Sequence, residues 1–149
     1  MNDKVVKEME NCCIYLSGAM SNVSFDEMTK WRRQFSDAIR FGDYDYTFKP
    51  YIFDPTKYYN FEEKRHKSES EIMEFDLNAL RKSDLIVVNF NGDSVGTDME
   101  LMLAKELNIP IIGLNKDKRK LHPWIECCCT RICDDMRELV EHVVEFYLN

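Results

Sequence analysis

Glu100 stands in the segment SVGTDMEL, which the pattern places inside the first turns of a helix that follows a buried strand. Main-chain N–H groups and the helix dipole favour negative charge there, and a carboxylate held anionic at neutral pH can serve as a nucleophile. The same preference puts acidic residues into first turns for stability alone, so this segment by itself decides nothing. Asp98 beside it reads as a solvated helix acid. Asp76 lies in MEFDLNALRKSD between apolar Phe75 and Leu77. An Asp there is ordinarily an exposed helix residue, but on a face turned to a site it could give a proton to a leaving group. Gly18 and Gly96 are candidate backbone sites. The segment SGAMSN around Gly18 lacks the GxGxxG dinucleotide fingerprint. Tyr15, Trp31, Trp124, Met99 and Met102 read as packing residues.

These side chains need elements to hold them. Cys12–Ser17 is an apolar run ending at Gly18, the pattern of a buried strand meeting a turn. Over Ser24–Phe41, apolar residues recur at three-and-four spacing, and Ser24 with Glu27 matches a capping box. Thr47–Phe53 reads as a second strand, at a sheet edge because Pro50 interrupts it. Asp54–Ser68 has no clear period. Within Tyr51–His66, the residues Tyr58, Tyr59, Phe61 and Arg65 suit a lid. Ser70–Lys82 is helical, with Ile72, Met73, Leu77 and Leu80 on one side. Asp84–Phe90 is the clearest buried strand. A helix follows from about Val95 to Leu107, then a strand at Ile109–Leu114 and a further strand at Thr130–Cys133. Asp134 is expected to cap a last helix with an apolar face at Met136, Leu139, Val140, Val143, Val144 and Tyr147. Such alternation implies an α/β fold, a mostly parallel five-stranded sheet with helices on both faces. Ligands then bind beyond the strands' carboxyl ends, where Tyr15–Asn22, Phe90–Glu100 and the stretch after Leu114 meet.

The 149 residues fit a single domain over 12–149 behind a tail at 1–11. The mixed charge of that tail argues against a signal peptide, and no apolar run approaches the length of a membrane helix. A cytoplasmic protein without membrane contact is expected. The net charge of −7 argues against nonspecific binding to nucleic acid. Cys127, Cys128, Cys129 and Cys133 lack the paired spacing of a zinc site. Reduced thiols packed as small hydrophobes are the expected state, with no metal.

Three segments together, IYLSGAM, FDLNALRKSDLIVVN and SVGTDMELMLAKELNIPIIGL, resemble the nucleoside 2-deoxyribosyltransferases and the related 2′-deoxynucleoside 5′-monophosphate N-glycosidases. The likeness runs from about Cys13 to Leu114. The third segment is the most specific: Gly96, Glu100, Ala104 and Pro110 fit the family frame. The resemblance implies a flavodoxin-like three-layer sandwich. It implies that Glu100 is the nucleophile that attacks C1′ and forms a covalent deoxyribosyl-enzyme, that Asp76 assists departure of the base, and that Tyr15 sits beside the nucleophile. It places Gly18, Met20, Asp93, Ser94 and Gly96 around the substrate. It implies no metal or organic cofactor, a nucleoside or nucleotide and a free nucleobase as partners, and a homo-oligomer, dimer or higher, with shared active sites.

One departure is informative. Many transferases have an Asp six residues before the nucleophile, on the sugar's 5′-hydroxyl; this chain has Ser94. A hydroxyl donates to a phosphate that an aspartate would repel, so Ser94 points toward a nucleotide. Against that, no Arg follows Gly18 as a counter-charge. The expected activity is cleavage of an N-glycosidic bond with transfer of the deoxyribosyl group to another base. Hydrolysis of deoxynucleoside monophosphates is the alternative. A nucleotide-binding module without chemistry and an enzyme of NAD-like dinucleotides are the other readings.

Overall fold

The computed structural model describes residues 10–58 and 68–149 of the chain. Five strands, β1 (Asn11–Gly18), β2 (Lys49–Phe53), β3 (Leu85–Asn89), β4 (Ile111–Leu114) and β5 (Arg131–Cys133), form one sheet in the order β2-β1-β3-β4-β5. Every pairing is parallel, so the sheet is wholly parallel. This order places the topological switch point, where the strand order reverses, between β1 and β3. Register pairs Ile14 with Leu85 and Gly18 with Asn89.

Alternation along the strands divides the core in two. Ile14, Leu16, Leu85, Val87, Ile112 and Leu114 face one side, where Trp31, Phe35 and Ile39 of α1 (Phe25–Phe41) meet Leu139, Val140 and Val143 of α5 (Met136–Tyr147). Tyr15, Ile86, Val88 and Ile111 face the other, against Leu80 of α2 (Glu69–Arg81) and Leu101 and Ala104 of α3 (Val95–Glu106). The three layers are thus those expected.

Local chemistry explains the element ends. Ser24 caps α1 by accepting from the Glu27 amide at 3.1 Å, and Ser68 does the same for α2 toward Glu71 at 3.2 Å. The last helix is capped by Asp135, which accepts from the Glu138 amide at 2.8 Å, and not by Asp134. The Asp134 amide instead donates to the Glu138 carboxylate at 3.0 Å. The strand expected at 109–114 starts later, because Asn108 adopts φ 57° to close α3 and the Ile109 amide still bonds Ala104. β2 lies at the sheet edge, and its Pro50 faces only one neighbouring strand. Sequence reading passed over a short helix α4 (Pro123–Cys128), which His122 caps through Nδ1. Pro123 at its first position is the available sign. Of the suggested lid, Tyr59, Phe61 and Arg65 lie outside the described residues.

Candidate active site

Tyr15 is fully buried on β1, two residues beyond the Cys13–Asp84 contact at which the Asp84 carboxylate accepts from the Cys13 amide at 2.8 Å. Its ring stacks on Phe53 at 5.4 Å, and Phe53 stacks on Tyr58 at 4.9 Å. Phe75 of α2 tilts against both Phe53 and Tyr58. This aromatic row fixes the direction of the Tyr15 side chain, so its hydroxyl emerges close enough to Glu100 of α3 to favour the charged form of that carboxyl. The residue read as packing is therefore both packed and part of the polar site.

Asp76 and Glu100 line one cavity of about 180 Å³ between α2 and α3, together with Glu69, Ile72, Met73 and Gly96. Gly96 leaves its side of the cavity open: a Cβ there would meet nothing nearer than Ser94 Oγ at 3.9 Å. The carboxyl end of Glu100 is withdrawn from water, and its Oε2 finds no hydrogen-bond partner among the described residues. Burial pushes the Glu100 carboxyl up to about 7. The Tyr15 hydrogen bond pulls it down, the Asp76 charge raises it further, and the Arg32 guanidinium lowers it.

This corrects the expectation of a carboxylate held anionic by the helix start. With Val95 as first residue, Glu100 is the sixth of α3, and the acid of the first turn is Asp98. The dipole's influence fades within that turn, and desolvation governs Glu100 instead. Asp98 is exposed, in keeping with a solvated helix acid.

Arg32 escaped the sequence reading. It is 1% exposed, inside the apolar stripe of α1 between Met28 and Phe35. Its Nη1 donates to Met28 O at 2.6 Å and its Nη2 to Gly18 O at 3.2 Å, while Nε lies 3.8 Å from Asp54 Oδ1. The guanidinium also packs over the Trp31 ring, 4.8 Å from its centroid. Burial lowers the Arg32 pKa, and the charges of Asp54, Glu100 and Asp76 oppose that shift. A cation thus stands behind the two carboxyl groups without following Gly18 in sequence. An Arg on the buried side of an amphipathic helix was the signal that could have revealed it.

The remaining candidates occupy the same rim in different ways. Gly18 has a packing reason to lack a side chain: a Cβ would sit 3.0 Å from Trp31 Cζ2 and 3.3 Å from Asn89 O. Met20 is half-buried in the loop after β1. Ser94 caps α3, accepting from the Thr97 amide at 3.2 Å, which leaves its own proton free to donate. Asp93 is exposed and pairs with Arg119 at 3.2 Å. Arg119 is held by Asn115, whose side chain bonds both its amide and its carbonyl. Among the described residues no three His, Cys, Asp or Glu side chains converge as a metal site, and no helix is long and apolar enough to cross a membrane. Cys127 is exposed, and burial raises the Cys129 thiol to about 12, a level at which it is inert.

The family model described as nucleoside 2-deoxyribosyltransferase matches residues 14–146. Among solved structures, a 2-deoxyribosyltransferase of Bacillus psychrosaccharolyticus superposes with TM-score 0.68 at 15% identity, over 87% of this chain and 90% of its own. A 2-deoxyribosyltransferase of Leishmania mexicana gives 0.60 at 15% identity, over 92% and 99%. A CMP N-glycosidase of Clostridium botulinum gives 0.55 at 14% identity, over 90% and 99%. At these identities the likeness is one of fold. No curated protein sequence matches.

Proposed function

The chain belongs to the nucleoside 2-deoxyribosyltransferase family, and from that premise we propose that it cleaves the N-glycosidic bond of a 2′-deoxynucleoside or its nucleotide and passes the sugar to another base. The observation that carries this reading is that Asp76 and Glu100, from two separate helices, line one cavity, with Tyr15 of β1 acting on the Glu100 carboxyl from the core side. A Glu100 oxygen attacks C1′ as the C1′–N bond breaks, and the bonding pair leaves with the base, which takes a proton from Asp76. The Glu100–C1′ ester then yields to a second base with inversion, so two inversions retain configuration. The first half-reaction needs Glu100 ionised and the proton on Asp76; in the second, the incoming base gives its N–H proton back to Asp76 as its nitrogen bonds C1′, and Glu100 leaves as a carboxylate. Because each charge disfavours the other, a single proton shared by the pair supplies the starting state. Tyr15 keeps the nucleophile aligned by its hydrogen bond.

Ser94 favours a second reading, in which the substrate is a deoxynucleoside 5′-monophosphate and water is the acceptor. Its free proton suits a phosphate oxygen at the start of α3, where main-chain N–H groups also point. An assay of deoxynucleosides and their monophosphates, with and without a second free base, separates the two. Base exchange supports transfer, and free base with sugar phosphate supports hydrolysis. Release of no base from any of them refutes both. Glu100→Gln is expected to abolish turnover, and ordinary turnover in that variant refutes the role of Glu100.

We further propose that the protein assembles with itself across this cavity. Met73 and Met99 line it yet are exposed, and Val95 and Met102 continue that apolar face along α3 at helical spacing. Met99→Glu is expected to yield monomers in sedimentation and to lose activity; an unchanged mass removes this arrangement.

A further inference from the structure

A second cavity, about 460 Å³, lies between α1 and the segment that follows β2, and it shares no lining residue with the Glu100 cavity. Thr29, Arg33, Ser36 and Arg40 recur at four, three and four residues and so form one stripe along α1. Thr56 and Lys57 belong to the other wall. Arg33, Arg40 and Lys57 have no ion-pair partner among the described residues. Two carboxylates also border the cavity, Asp37 and Asp54. Asp54 is committed to Arg32 and to Thr56, whose amide and hydroxyl it accepts at 2.9 and 2.6 Å. Setting Asp37 against the three cations leaves an excess of two positive charges, in a chain whose net charge is −7.

Ser36 marks where a ligand would sit. A hydroxyl on a helix often turns back on the carbonyl one turn earlier. Thr29 does so toward Phe25 O at 2.8 Å, and Ser83, just past α2, does so toward Ala79 O at 2.8 Å. Ser36 is 3% exposed and borders the cavity, yet its Oγ makes neither that bond nor any other among the described residues. Buried hydroxyls are nearly always satisfied, so the missing partner is an atom that enters the cavity. Ser36 is also central to the stripe. Arg33 precedes it by three residues and Arg40 follows it by four, about 4.5 and 6 Å along the axis. Both side chains are long enough to close on one group seated at Ser36, and their planar donors match the oxygens of a tetrahedral anion. A doubly charged oxyanion balances the excess of two, whereas a carboxylate leaves one cation unmatched.

We propose that this cavity is a phosphate site. It takes a phosphate dianion, free or carried on a small molecule, on Arg33, Arg40 and Lys57, with a hydrogen bond from Ser36. The site stands independently of the reaction proposed at Glu100.

Calorimetric titration of the full chain tests it, with inorganic phosphate, glycerol 3-phosphate and acetate as probes. One phosphate is expected per chain, with affinity falling at least tenfold in Arg33→Gln/Arg40→Gln, whose folding circular dichroism verifies. Ser36→Ala is expected to weaken phosphate severalfold and, without phosphate, to melt no lower than the parent, since it removes an unsatisfied hydroxyl. Ser94→Ala, at the other cavity, is expected to leave phosphate binding unchanged. Tighter binding of glycerol 3-phosphate than of inorganic phosphate assigns the site to a monoester, and the reverse assigns it to the free anion. Undiminished phosphate binding by the double variant or by Ser36→Ala, a loss that appears in Ser94→Ala instead, acetate binding as tight as phosphate, or no binding at millimolar phosphate each overturns the proposal.

Discussion

Arg32 and Asp54 form a buried ion pair, 3.8 Å apart, that joins the middle of α1 to the end of β2. Both side chains are almost wholly buried, so the two charges face one another where water screens them little. Removing one partner from such a pair costs about 3–5 kcal/mol, since the other charge is left uncompensated. Arg32→Met is therefore expected to lower the urea-unfolding free energy by about that amount. Arg32→Met/Asp54→Asn is expected to regain part of the loss, because no orphan charge remains. Equal losses in the single and double variants would show that packing and not charge sets the cost.

The pH dependence of the reaction follows from Glu100. A nucleophile must be ionised, and burial holds this carboxyl at about 7 in the free protein. kcat/KM is expected to fall as pH falls through about 7, reporting the free enzyme. Tyr15→Phe removes the hydrogen bond that favours the charged form. A bond of that kind is worth about 1.5 kcal/mol, so the acid limb should move up by about one pH unit. A profile unchanged by Tyr15→Phe would separate Tyr15 from Glu100.

The same group predicts a stability that runs opposite to the activity. Its folded pKa of about 7 lies above the ordinary glutamate value of 4.5, so between those values the folded state binds more protons than the unfolded. Stability then falls as pH rises through that window. The full cost above it is on the order of 3 kcal/mol. Glu100→Gln carries no charge, so it should unfold at a higher temperature than the parent at pH 8 and at the same temperature at pH 4. Identical melting at both pH values would show that the carboxyl is not buried as ionised.

Gly18→Ala is expected to destabilise by about 1–3 kcal/mol. The added Cβ would press on Trp31 Cζ2 at 3.0 Å and on the Asn89 carbonyl at 3.3 Å, and neither the packed ring nor the backbone yields easily. Chemical denaturation measures the change. A loss of activity with full stability would instead assign Gly18 to the substrate.

Much of the architecture was legible because its signals are local. The runs at Ile14–Ser17 and Leu85–Asn89 announce buried strands by composition, and α1 and α5 announce themselves by apolar residues spaced three and four apart. α4 was not legible, since six residues make too few turns for a period to register. Asp134 and Asp135 offer the same capping chemistry one position apart, and only the backbone selects between them. For the site, sequence named Glu100 and Asp76, which the structure places on one cavity. It assigned Glu100 a charge state from helix position, whereas the charge state depends on what covers the carboxyl. Arg32 was hidden because its neighbours are apolar, and a charged residue within an apolar stripe finds its partner, Asp54, only through tertiary contact.

The pairing of β1 with β3, which sets Ile14 against Leu85, also bears on how the molecule assembles. The strand that carries Tyr15 and the strand between α2 and α3 are distant in the chain, and such a contact closes only after the intervening segment has been organised, a slow step in parallel sheets. Recovery of catalysis during refolding would thus lag behind the return of helical signal, and would time the zipping of these two central strands.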